Sequence, residues 1–258
     1  MKFLALISIL SIFLVGCATD FSKFYDPWYE DGEIPEEAFL EDGESPTIIK
    51  TSDLITKYRE ISSNWYWSIG YTGFNGPNKD DYFVHQELIQ LCKKKKAKIA
   101  IWERKYTNTQ NGVYSVPHTQ YHSHIDYNGY AHTYATTSYS AHSYSIDRYD
   151  FSAYLFVSIP QSYRMQYAPG FAISDLSQRD REQSGQNTGA LINIVYKNTV
   201  AYFANILHGD VITQINDRKI YTKNDFYAIR HSAKIGDIWN MTLVRNGRTL
   251  NVSLKYGL

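Results

Sequence analysis

The chain has 258 residues, 43% of them hydrophobic, enough for packed cores and long enough for two small domains. Its formal net charge of zero divides unevenly: residues 18–46 carry ten acidic side chains and one basic, 47–166 carry 13 basic and 9 acidic, and 167–258 carry 11 basic and 7 acidic. A surplus of four positive charges on each later part falls well short of the basic footprint of a nucleic-acid binder, so nucleic acid is not an expected partner.

At the N-terminus Lys2 precedes 13 mostly apolar residues, Phe3 to Val15, too short a run to span a bilayer and of the length of a secretory signal h-region. Leu14-Val15-Gly16-Cys17 resembles the lipobox of bacterial lipoproteins. That resemblance implies a signal peptide over 1–16, fatty acylation (palmitate or similar) of Cys17 and anchorage in the bacterial cell envelope. Ala18 after the Cys implies the outer membrane, on its periplasmic or surface face. Acylation would consume Cys17 and leave Cys92, the only other cysteine, without a disulfide partner. Residues 17–46, rich in acid and punctuated by Pro27, Pro35 and Pro46, read as an acidic tether that reaches at most about 100 Å when extended. Phe21, Phe24, Tyr25, Trp28 and Tyr29 place its first part either at the membrane interface or on the folded body.

Residues 47–166 read as an α+β domain. Trp65, Trp67, Ile69 and Tyr71 alternate with polar and small residues as a strand, ending in the turn Gly73 to Pro77. Asn78 is the expected cap of a helix running to about Lys96, with Val84, Leu88, Leu91 and Cys92 on one face. A strand over 98–105 completes a strand-helix-strand unit, which predicts two parallel strands in one sheet. Phe151 to Ile159 adds another strand, and the expectation is a small sheet covered by one helix. Gly70, Gly73 and Gly76 lack the spacing and ending of a phosphate loop. The basic run Lys93 to Lys96 complements the helix dipole, with anionic lipid headgroups as the alternative.

Between these strands, residues 114–149 hold eight Tyr and five of the chain's eight His in 36 residues, with almost no aliphatic side chains. Such a segment has no core of its own and is expected as a long β-arm resting on the domain or as a flexible insertion. In an extended strand His122 and His124 share a face, and with His118 they are the candidate metal ligands.

From Tyr167 onward the sequence is similar to a PDZ domain. The residues behind this are Pro169-Gly170-Phe171-Ala172-Ile173, the strand Ala190 to Val195, Ala201 and Ala204 on a short helix, and the Gly209-Asp210-Val211-Ile212 turn into a second strand. A capped helix at Thr222 to Asp225 and an Asn246-Gly247 hairpin follow. The resemblance implies a partly open β-barrel with two or three short helices, over 167–258. It further implies a peptide groove made by the loop Gly170, Phe171 and Ala172, the edge strand Ala172 to Leu176 and the helix Asp225 to Arg230. Phe171, Ile173, Phe226 and Ile229 would be its apolar walls and Arg230 its end. Asn205 and Asp217 stand where such domains usually have Gly, and Pro169 removes one N–H beside the loop.

The fold class is therefore α+β: a small βαβ-containing N-terminal domain with a Tyr/His-rich arm, then a PDZ-like domain. No Gly-x-Ser-x-Gly or His-Glu-x-x-His occurs, and the expected function is non-catalytic. The expectation is an envelope lipoprotein binding a protein or peptide ligand, without a cofactor and in an oligomeric state the sequence leaves open. The alternative is a metal- or ligand-sensing lipoprotein using the arm.

Overall fold

A computed structural model describes residues 20–30 and 32–258. The expected signal peptide and Cys17 lie outside the described residues. Within them, no helix is long and apolar enough to cross a membrane.

Residues 20–46 pack on the body, which corrects the expectation of an extended tether and chooses between its two alternatives. Helix α1 (Asp20–Lys23) seats Phe21 at 0% exposure, edge-on to Phe74 at 4.9 Å and Phe151 at 6.2 Å. Strand β1 (Tyr25–Pro27) then joins the sheet, and after a 3-10 turn at Glu36–Ala38 the Leu40 N–H donates to Lys96 O at 2.7 Å. Net charge concealed these anchors: a few spaced apolar side chains suffice to hold an otherwise acidic segment down.

The N-terminal domain continues through β2 (Thr47–Lys50), α2 (Leu54–Ser63), β3 (Tyr66–Pro77), α3 (Asp81–Lys95), β4 (Ile99–Ile125) and β5 (Ala131–Ser158). Its sheet runs β1-β3-β5-β4-β2. Strands β3 and β4 are each antiparallel to β5, hence parallel to one another as expected, with β5 inserted between them. The glycines expected in a turn are in strand β3, where a Cβ at Gly70 would collide with the Tyr25 ring and hydroxyl. The helix cap is Asp80, whose Oδ1 accepts from Tyr82 N at 2.8 Å, two residues beyond Asn78.

Alternation along β4 and β5 splits the core in two. Ala100, Trp102, Phe151, Ala153 and Leu155 face Val84, Leu88, Leu91 and Cys92 of α3. Ile101 and Phe156 face Leu54 and Ile61 of α2 on the other side. Two helices, one per face, thus cover a sheet expected to carry one.

Short helix α4 (Gln161–Arg164) leads to the C-terminal part, which comprises β6 (Phe171–Asp175), α5 (Gln178–Ser184), β7 (Ala190–Val195), α6 (Val200–Phe203), β8 (Val211–Ile215), β9 (Arg218–Lys219), α7 (Lys223–Ser232), β10 (Ile238–Arg245) and β11 (Arg248–Lys255). Its open sheet has the order β11-β10-β8-β7-β6, with β9 paired to β8. Asn205 adopts φ 55°, as its place in a glycine position requires, whereas at the β8–β9 turn Asn216 and not Asp217 takes the left-handed conformation. Asp210 is fully buried; its carboxylate accepts the Leu207 N–H at 2.9 Å and is gripped by Arg245 at 2.6 and 2.7 Å.

Cys92 is fully buried, and desolvation pushes its thiol up to about 12. Because the thiolate is the reactive form, peptide mapping after treatment with a thiol reagent should find Cys92 unmodified in the native protein and modified in denaturant. Ready modification under native conditions would contradict the α3 packing.

Candidate functional site

Among the described residues strand β6 ends its sheet and pairs only with β7, so one edge carries backbone groups without a sheet partner. The Tyr196 N–H donates to Gly170 O at 2.8 Å and Phe171 sits opposite Val195. That pattern makes Phe171/Val195 a non-hydrogen-bonded pair, which turns the N–H and C=O of Phe171 toward the free edge. Helix α7 lies alongside. Its start is capped reciprocally by Thr222 and Asp225, and the bonds from the Thr222 and Tyr221 N–H groups hold the Asp225 carboxyl below its ordinary range.

Both ends of this groove are fastened. At one end Asp175 Oδ1 accepts the Lys223 N–H at 2.9 Å; at the other Arg230 donates to Gln166 O at 2.6 Å and lies over the Tyr227 ring. Of the expected apolar walls, Phe171, Phe226 and Ile229 are core residues at 2%, 1% and 7% exposure, with Phe171 and Phe226 in ring contact at 5.5 Å. These three side chains thus lie beneath the surface, whereas Ala172, Ile173, Tyr227 and Arg230 are half-buried. In the loop, Gly170 at φ 111° has no room for a side chain, since a Cβ would run into Thr199. Its N–H is spent on Tyr167 O at 2.7 Å, and Pro169 has none to offer.

The loop is also braced from outside, by residues the sequence reading did not bring together. Trp65, at the head of β3 with φ 67°, stacks on Tyr196 at 4.3 Å and 12° between planes, while Arg164 lies 4.9 Å over the indole. The Trp65 indole N–H donates to Lys197 O at 3.2 Å, Trp67 donates to the Tyr167 hydroxyl at 2.5 Å, and the Lys197 N–H returns to Ser63 O at 2.9 Å. Burial pushes the Tyr167 and Tyr196 phenols above their ordinary range, so both rings stay neutral well past physiological pH beneath the Arg164 cation. Nothing in local periodicity pairs residue 65 with residue 196; a concentration of aromatics on both sides of the boundary was the one available signal.

The histidines lie elsewhere, on the arm formed by the outer halves of β4 and β5. His122 stacks on Tyr134 at 5.2 Å and His124 on His132 at 5.3 Å, while His118 bonds Ser140. Among the described residues no three His, Cys, Asp or Glu side chains are placed to hold a metal ion, so His118, His122 and His124 are not brought together as one ligand set.

Replacing Trp65 with Ala removes the indole stack and its hydrogen bond. Chemical denaturation should register a loss of about 2–4 kcal/mol, near that of truncating a large packed aromatic. An unchanged midpoint would show that the junction contributes nothing.

Comparison with known proteins bears on this region. Residues 170–256 match the family model for the PDZ domain. A stretch of 73 residues is 34% identical to a serine protease Do-like HtrA of Lactobacillus helveticus and takes in 28% of this chain and 18% of that protein, so the chain spans less than a fifth of that relative. Similar solved structures include the HtrA-type protease AlgW with decapeptide, at 18% identity and TM-score 0.33, with 41% of this chain and 37% of that one covered. Another is the HtrA3 PDZ domain bound to a phage-derived ligand, FGRWV, at 15% identity and TM-score 0.31, with 34% of this chain and 82% of that one covered. The protease match is confined to the C-terminal region. Residues 170–256 of this chain are a PDZ domain.

Proposed function

We propose that this PDZ domain binds an extended polypeptide, a terminus or an exposed strand, as an added strand along β6 against α7. The observation that carries the reading is the outward-facing backbone of Phe171 on the unpaired edge beside α7. Added backbone hydrogen bonds supply affinity, and Ile173, Tyr227 and Arg230 supply the side-chain selection. With Pro169 lacking an N–H and Gly170 N–H bonded to Tyr167, the loop offers a terminal carboxylate fewer free donors than its length suggests. Strand pairing therefore contributes more of the affinity than carboxylate capture.

The same reading makes the protein a non-catalytic recognition module held at the bacterial cell envelope by acylated Cys17, at the outer membrane. The lipobox-like Leu14 to Cys17 supports the anchor, and the lack of a protease or hydrolase motif supports the absence of catalysis. Because residues 20–46 pack on the domain, the folded body would sit close to the membrane and not at the end of a long leash.

The test is a titration of the full chain with fluorescent peptides selected from random libraries with free and with blocked C-termini. Ile173→Arg, at a half-buried position facing α7, should weaken binding at least about tenfold, the effect of losing about 1.4 kcal/mol. Circular dichroism of the variant should remain native. Binding unchanged by Ile173→Arg in a folded protein would move the site away from the groove.

A further inference from the structure

Helix α1 packs beside α3, and their junction lies close in the chain to Cys17. Asp20 is three residues beyond that cysteine, a reach of at most about 11 Å. Its Oδ2 pairs at 2.9 Å with Nζ of Lys79, which stands immediately before Asp80, the cap of α3. Helix α1 and the start of α3 thus form one corner of the N-terminal domain, and that corner is tethered within a short distance of Cys17.

The corner exposes aromatic rings. Tyr82 and Phe83, in the first turn of α3, are 65% and 63% exposed and meet edge-on at 5.8 Å. Phe24 is 46% exposed and stacks on Phe74 at 5.9 Å, while Lys79 Nζ lies 5.4 Å over the Phe74 ring. The face that α3 turns to the core is Val84, Leu88, Leu91 and Cys92, so Tyr82 and Phe83 contribute nothing to it. Grouped large rings outside a helix whose apolar stripe is already buried mark a contact surface. The acidic groups of α1 and of the α3 start are engaged within the corner. Lys79 holds Asp20 and Glu87, Lys50 and Arg104 hold Asp81, and the Asp80 carboxylate caps the helix. Lys23 has no ion pair among the described residues, and its Nζ lies 5.3 Å over the Phe24 ring. The arm leaves the body at the same end, where the Asn78 N–H donates to Asp147 O at 3.2 Å, and it holds no Lys, Arg or Glu between residues 107 and 147.

We propose that this corner, Lys23 and Phe24 with Tyr82 and Phe83, rests in the headgroup layer of the membrane that holds acylated Cys17. The contact presupposes the lipid anchor read from Leu14 to Cys17. With the acyl chains in the hydrocarbon, Cys17 lies at its boundary and Asp20 within about 11 Å of it, a distance close to the thickness of the headgroup layer, about 5–8 Å on each side. Aromatic rings suit that layer, where an apolar body meets the acyl chains and the Tyr hydroxyl meets water and headgroups. Lys23 can keep its stem along Phe24 while its ammonium reaches a lipid phosphate. The unpaired edges of the arm keep it out of the hydrocarbon. The basic run Lys93 to Lys96 stands about 22 Å away, at the other end of α3, and is not part of the contact.

The full chain, purified with its anchor and placed in phosphatidylcholine vesicles, tests this. Mass spectrometry of the N-terminal peptide reports independently whether Cys17 is acylated. The fluorophore nitrobenzoxadiazole is attached through Lys23→Cys, through Phe83→Cys or, on exposed β11 of the PDZ domain, through Thr249→Cys, while buried Cys92 stays unlabelled. Doxyl-labelled lipid in the vesicles should quench the dye at positions 23 and 83 and leave it bright at 249. Tyr82→Asp should remove the quenching at 83, and an acidic residue in the first turn of α3 suits the helix dipole, so the fold is kept. With Cys17 acylated, a dye at 23 and 83 that is quenched no more than at 249, or quenching at 83 that survives Tyr82→Asp, overturns the proposal and leaves the anchor standing. An unmodified Cys17 overturns the anchor, and the proposal with it.

Discussion

The aromatic junction at Trp65, Tyr167 and Tyr196 is the contact on which the rest of the arrangement depends. It joins two cores that otherwise have separate membership, one drawn from residues 21–157 and the other from 168–256. The backbone of Tyr196 reaches directly from this stack to the carbonyl of Gly170, and Tyr167 accepts the Gly170 N–H. The loop at the head of β6 is therefore fixed on one side by its own domain and on the other by the domain before it. Offset and edge-on ring pairs are worth about 0.5–1.5 kcal/mol each beyond buried area, a useful sum for a joint between two small cores.

This bracing gives the groove its character. An edge strand is a liability unless its conformation is controlled, and here β6 is held by β7 along one edge, by α7 across its face and by the junction at its head. The side chains of Phe171, Phe226 and Ile229 are buried, so a peptide added along β6 as proposed would contribute backbone pairing and shallow side-chain contacts more than a deep anchor. The arm presents the opposite situation: among the described residues its two strands pair with each other over nearly all of their length and nothing covers its faces.

Much of the fold was legible in the sequence where local signals act alone. The capping box at Thr222/Asp225, the Asn246-Gly247 hairpin and the apolar stripe of α3 each formed as their spacing predicts. The β-arm was legible as an alternative, because β-branched and aromatic content favours extension, but its direction was not, since projection away from the body depends on β4 and β5 continuing unbroken past the sheet. Helix α2 escaped notice because only Leu54 and Ile61 of its ten residues are buried and apolar, a stripe too sparse to read. The acidic segment misled for a related reason: composition averages over a segment, whereas docking depends on single residues such as Phe21. The groove residues were correctly placed in their elements, but burial depth is set by packing across the domain, and so floor and rim could not be told apart.

Hydrogen exchange of the backbone amides, with and without a bound peptide, tests the central claim most directly. Strand addition along β6 predicts that exchange slows at Phe171 and its neighbours through Asp175, with smaller changes at α7, and that residues 107–147 exchange as before. Protection confined to the arm, with the 171–175 amides unchanged, would contradict the account and place recognition on the other surface.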